Sequence, residues 1–199
     1  DMVMAQTLFV CLKQRHGEQC LIDVLAPEWS RPILERMPEV NQALSFPLGH
    51  GVLELATRKK IGKSLAGQYD QAILLPNSLK SALVPYFANI PKRTGWRGEM
   101  RYRLLNDIRK LDKQQYPLMI ERFMALAFEP GAALPKPYPR PQLRIDPASR
   151  AAALTRFGLE LDRPVLALCP GAEFGEAKRW PSEHYAEVAD AKIRMGWQV

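Results

Sequence analysis

Apolar positions recur with two different spacings along this chain, and the two alternate. "DMVMAQTLFVCLKQRHG" has a helical period, with Met4, Leu8 and Leu12 on one side and Gly17 as the stop. "CLIDVLAP" is a short apolar run of the buried-strand type, "PEWSRPILERMP" a short helix closed by Pro38, and "VNQALSFPL" a weaker second strand. "LELATRKKIGKSLAGQY" is an amphipathic helix, "DQAILLPNS" a third strand, "LKSALVPYFANI" a helix interrupted by Pro85, and "KRTGW" a short fourth strand. "YPLMIERFMALAF" is helical, with apolar positions at Leu118, Ile120, Phe123, Met124 and Leu126. Strands alternating with helices predict parallel βαβ units and an α/β fold with a doubly wound sheet.

The pattern breaks at "EPGAALPKPYPRPQLRIDP", residues 129–147, where six prolines replace any periodicity. A stiff connector is expected there. Beyond it come a helix in "PASRAAALTRFGLEL", a strand in "RPVLALCPG", a helix in "PSEHYAEVADAKIRMG" capped around Ser182, and the opening of one more strand in "WQV". The expected organisation is a first Rossmann-like domain over residues 1–129, a linker over 130–147, and the start of a second such domain over 148–199. The chain opens on a helix and stops inside a new α/β unit, so a fragment of a longer protein is the expectation.

Composition narrows the class. A hydrophobic fraction of 47% with 25% charged residues fits a globular protein, and no apolar run approaches the roughly 20 residues of a membrane span. Cys11, Cys20 and Cys169 lack metal-ligand spacing and read as buried free thiols. His16, His50 and His184 are scattered, with His50 a turn residue in "GHG", so no metal site is expected. The formal charge is +7. Residues 92–113, "KRTGWRGEMRYRLLNDIRKLDK", hold eight Lys or Arg against three Asp or Glu. Composition leaves two readings of that segment: the solvated face of a surface helix, or a surface for an anionic partner. Trp96 and Tyr102 among these cations also keep a nucleic-acid-binding module open, although no nucleic-acid motif is present.

In "VLALCPGAEFGEAKRWP", residues 165–181, a strand, a glycine-punctuated loop and a helix start carry Lys178, Arg179 and Trp180. A helix N-terminus beside a mobile ammonium and a forked guanidinium suits a diphosphate. It is neither a Walker A loop nor G-x-G-x-x-G. On pattern alone, a phosphate site and a merely packed helix start both remain open.

The residues themselves carry a resemblance. "CPGAEFGEAKRWP" resembles the start of the nucleotide-sugar domain of the ADP-heptose–lipopolysaccharide heptosyltransferases. "IDVLAP", "RMPEVN", "PLGHG", "LPNSLKSALVP" and "IPKRTGWRGEMRYRLLND" resemble one branch of that family from Asp1 to Val199. The resemblance implies a GT-B arrangement, with two Rossmann-like domains facing across a cleft, acceptor on the first and ADP-heptose on the second. It also implies a first strand ahead of Asp1 and well over a hundred residues beyond Val199.

The implied activity is inverting transfer of heptose from ADP-heptose to the first heptose of the lipopolysaccharide inner core, without metal or cofactor; the alternative is a catalytically silent fragment. By resemblance Asp1 is the base, a role compatible with helix capping, and Lys178 stabilises the leaving diphosphate. Donor binding falls to Gly171, Ala172, Glu173, Lys178, Arg179 and Trp180. Acceptor recognition falls to Arg58, Lys59, Lys60, Lys63, Asn77, Ser78, Lys80, Arg97 and Arg101, matching an anionic acceptor, the Kdo-lipid A that carries the first heptose. The implied setting is a cytoplasmic monomer in peripheral contact with the inner membrane, with no nucleic-acid partner.

Overall fold

The computed structural model describes residues 1–49, 51–172 and 175–199, so the expectations for His50 and Glu173 lie outside the described residues. The chain divides into two compact units, Asp1–Arg144 and Ile145–Val199. In the first unit α1 (Met2–His16) leads to β1 (Asp23–Ala26), the short α2 (Arg31–Leu34) and β2 (Gln42–Ser45). Then follow α3 (Leu55–Ser64), β3 (Gln71–Leu74), α4 (Leu83–Phe87) and β4 (Lys92–Trp96). The unit closes with β5 (Asp107–Arg109) and α5 (Met119–Met124).

All strand pairs are parallel, as the strand–helix alternation requires. They form two sheets rather than one, β1-β2 and β3-β4-β5, because no described strand bridges β1 to β3. Both sheets nevertheless bury side chains in one cluster, where Val24, Ala26 and Ala43 meet Ile73 and Trp96 under Leu8, Phe9 and Cys11 of α1 and Phe123 and Met124 of α5. Burial pushes the Cys11 thiol up to about 11, which marks it as packing rather than chemistry. Cys169, expected to be buried, is exposed.

Two expectations need correction. Residues 130–144, expected as part of a stiff connector over 130–147, belong to the first unit and pack onto its core. Leu134, Tyr138 and Leu143 pack against the core, the Tyr138 hydroxyl bonds the Glu121 carboxylate, and Gln142 exchanges hydrogen bonds with the side chain of Gln6 at 2.9 Å each. Prolines that remove backbone donors still permit packing of the residues between them. Residues 92–113 are likewise not a surface helix. They form β4, a loop and β5.

In the second unit α6 (Pro147–Phe157) is capped by the Asp146 carboxylate on the Ser149 N–H at 2.7 Å, and Gly158 ends it in the left-handed region. α7 (Ser182–Arg194) follows Pro181 and has no side-chain cap, so Ser182 opens the helix without capping it. The strand expected in "RPVLALCPG" is reduced to one parallel bridge, Val165 with Gln198, held by Leu166 N to Gln198 O at 2.8 Å.

Candidate functional site

At the carboxyl ends of β3 and β4, where ligands of open α/β sheets collect, two loops are fastened together. Residues 76–81, "PNSLKS", follow β3, and residues 97–101, "RGEMR", follow β4. Gly98 lies against Asn77 so closely that an added Cβ would stand 2.1 Å from the Asn77 carbonyl oxygen, a distance that only glycine permits. Beside it the Glu99 N–H bonds Asn77 O at 3.2 Å, and the Glu99 carboxylate accepts from Leu79 N at 2.7 Å.

Arg101 completes the fastening. Its side chain is fully buried. Nη1 donates to Pro76 O at 2.8 Å, Ser81 Oγ at 3.0 Å and Ser78 O at 3.3 Å, while Nη2 donates to Trp96 O at 2.6 Å and Asn77 Oδ1 at 3.2 Å. Burial draws the Arg101 pKa below the usual arginine range, but the guanidinium stays charged at neutral pH and is solvated by carbonyls instead of water. Each carbonyl left unpaired by its removal costs about 1–3 kcal/mol.

Arg58 repeats this chemistry from the other side. It is buried, and donates from Nε to Leu53 O at 2.5 Å, from Nη1 to Lys80 O at 3.0 Å and from Nη2 to Val52 O at 3.0 Å. Its guanidinium also lies 5.1 Å from the Phe46 ring centroid. Neither Arg58 nor Arg101 is within ion-pair distance of a carboxylate among the described residues. As direct ligand contacts they are therefore misplaced: both guanidiniums face inward and are occupied by the backbone. Lys59, Lys60, Lys63 and Arg97 are exposed, as is Asn77, while Ser78 and Lys80 are half-buried. Within residues 92–113, Arg93 bonds Leu104 O and Ile90 O, and Arg109 pairs with Asp107 at 2.7 Å. Trp96 is buried with Nε1 on Arg122 O, so it offers no face to a nucleobase.

Asp1 is exposed and stands at the N-cap position of α1, but its side chain makes no capping bond. In the second unit Gly171, Lys178, Arg179 and Trp180 are exposed, and Ala172 is half-buried. Lys178 ends a single 3-10 turn, Glu176–Lys178, and Arg179 Nη2 bonds Ala172 O at 3.2 Å. Trp180 leans on α7, with ring centroids 5.3 Å from His184 and 5.0 Å from Tyr185. The loop thus gathers Ala172, Lys178, Arg179 and Trp180 on one short segment ahead of α7. Among the described residues no helix is long and apolar enough to cross a membrane, and no cluster of His, Cys, Asp or Glu is placed to hold a metal ion.

This geometry has known counterparts. Residues 58–199 match the family model for glycosyltransferase family 9 (heptosyltransferase). The chain belongs to glycosyltransferase family 9. Lipopolysaccharide heptosyltransferase 2 of Escherichia coli K12 is 54% identical over 100% of this chain and 59% of its own length. Lipooligosaccharide heptosyltransferase 2 of Haemophilus influenzae is 50% identical with the same coverage. The solved structure of E. coli ADP-heptose lps heptosyltransferase II superposes with a TM-score of 0.90 at 51% identity, covering 100% of this chain and 60% of that one. The fold is therefore that of family 9, α/β with parallel sheets and of the GT-B class. This family 9 chain spans about 59% of the length of the curated relatives it matches.

Sequence reasoning missed Gly98 and Glu99 as parts of this site's frame. The available signal lay in α3, where Arg58 and Gly62 are four residues apart and share its buried face, whereas Lys59, Lys60 and Lys63 point outward. A charged residue in register with a helix-packing glycine is a buried one.

Proposed function

We propose that this chain is part of an inverting heptosyltransferase that moves heptose from ADP-heptose onto the first heptose of the lipopolysaccharide inner core. The observation that carries this reading is the 54% identity, along the whole of this chain, to a relative named lipopolysaccharide heptosyltransferase 2. In this reading the acceptor hydroxyl oxygen attacks the anomeric carbon as the bond to the diphosphate breaks and ADP leaves. Asp1 takes the hydroxyl proton. The ammonium of Lys178 offsets the charge that develops on the departing diphosphate, with Gly171, Ala172, Glu173, Arg179 and Trp180 around the donor. Asn77, Ser78, Lys80 and Arg97, with the outward lysines of α3, face the anionic acceptor. The protein works as a cytoplasmic monomer, drawn to the anionic inner leaflet by its net charge of +7, and uses no metal or cofactor.

The test is the full-length protein incubated with ADP-heptose and Kdo-lipid A carrying one heptose, with product read by mass spectrometry. One added heptose is expected, at the same rate with EDTA present. Lys178→Ala and Asp1→Asn should each lower kcat by roughly 10²–10³-fold while substrate still binds. Absence of transfer, or silencing by EDTA, overturns the reading.

A further inference from the structure

We infer that Arg58 and Arg101 act as a pair of positioning residues that hold the 76–81 loop in its ligand-binding shape. The inference rests on the acceptor reading of that loop and names what builds it. The carbonyls of Pro76, Ser78 and Lys80 all turn inward onto guanidinium nitrogens, the first two on Arg101 and the third on Arg58. The loop is therefore gripped from β4's side and from α3's side at once.

The charges of Glu54 and Glu99 reach Arg58 and Arg101, although neither carboxylate is within ion-pair distance among the described residues, so the direct partners of both guanidiniums are loop oxygens. The side-chain oxygen of Asn77 is committed to Arg101, so its exposed amide presents donors outward. The loop's carbonyls face inward and its Leu79 N–H is held by the Glu99 carboxylate, while the amide nitrogen of exposed Asn77 can donate to a hydroxyl-bearing ligand. Gly98 adds an independent constraint, because any side chain there drives the loops apart at Asn77.

Arginine is required at both positions for its fork. Arg101 reaches five oxygens and Arg58 three, which no ammonium can span. The experiment uses the full-length enzyme and three variants, Arg58→Lys, Arg101→Lys and Gly98→Ala, each checked for folding by thermal melting. Amide hydrogen exchange over residues 76–82 should accelerate about tenfold to a hundredfold in each variant, with α1 and α5 unchanged. Acceptor KM should rise by about the same factor, while ADP-heptose KM stays put. Gly98→Ala, at an exposed position, keeps the test alive if an arginine variant fails to fold. Unchanged exchange in the loop overturns the grip itself. Faster exchange with an unchanged acceptor KM leaves the grip standing but overturns its link to the acceptor, and with it that assignment of the loop. Equal rises in both KM values overturn the specificity for acceptor.

Discussion

Asp107 shows how one side chain ties three strands to a helix end. Its Oδ2 accepts from Thr94 Oγ1 at 2.9 Å and from Arg109 Nη2 at 2.7 Å, and Thr94 in turn accepts from Gln71 Nε2 at 2.9 Å. Arg109 continues to Ala125 O and Phe128 O, just past α5. The hydrogen bonds from Arg109 are the main reason that the Asp107 carboxyl is held below the ordinary aspartate range. A lowered folded-state pKa means that the contribution is present above the unfolded value, near pH 4, and is lost as pH falls through the folded value. Asp107→Asn should therefore destabilise by about 3 kcal/mol at pH 7, since it leaves a buried guanidinium without its carboxylate. The gap from wild type should narrow below about pH 4. Urea melts between pH 7 and pH 3 measure it, and a gap that stays constant with pH refutes the linkage. Arg58 and Arg101 illustrate the opposite case at the same scale, cations whose hydrogen bonds all go to neutral oxygens.

At the scale of elements, α3 and α4 meet at Gly62. A Cβ there would lie 2.6 Å from Phe87 Cβ and 2.7 Å from Val84 O. Alanine raises intrinsic helix propensity by about 1 kcal/mol, whereas overpacking at a fixed helix contact costs about 1–3 kcal/mol. The second effect wins because backbone, not a flexible tip, blocks the methyl. Gly62→Ala should lower stability by about 1–2 kcal/mol in chemical denaturation, and a stabilised variant would mean that the helices can separate freely. The same element shows what was legible in the sequence. α1, β1 and β3 follow from periodicity, because each carries its apolar pattern within its own residues. β5 was not legible: "DIR" is three residues long and owes its place to register with β4, Thr94 opposite Asp107. Arg58 looked like one of four equal cations in "RKKIGK", and its burial is set by Val52, Leu53 and Lys80, which no local pattern names. The proline-rich stretch misled for a related reason. Its composition reports missing backbone donors, while Tyr138 and Leu143 are held by partners far away in sequence.

At the scale of the whole molecule, the two units differ in how their helices are stabilised. In the first, α1 and α5 bury Leu8, Phe9, Phe123 and Met124. In the second, neither α6 nor α7 buries any residue, and Phe157, Ile193 and Met195 are more than half exposed at 66%, 55% and 66%. Helices of 11 and 13 residues sit at the length where isolated helices are marginal in water, about 12–15 residues, and most helical stability comes from packing. Local stability should follow burial. In the 199-residue chain, amides of α6 and α7 should therefore exchange at least about a hundredfold faster than those of α1 and α5. Exchange of α1 and α5 should track global unfolding, while α6 and α7 open independently of denaturant. The relatives are longer than this chain, which covers 59% of their length. Residues that cover Phe157, Ile193 and Met195 in a protein of that length should slow α6 and α7 exchange without altering α1. Mass-spectrometric hydrogen exchange on the two lengths decides it. Equal protection of α6 and α1 in the 199-residue chain would show that the second unit is held by something other than buried apolar surface.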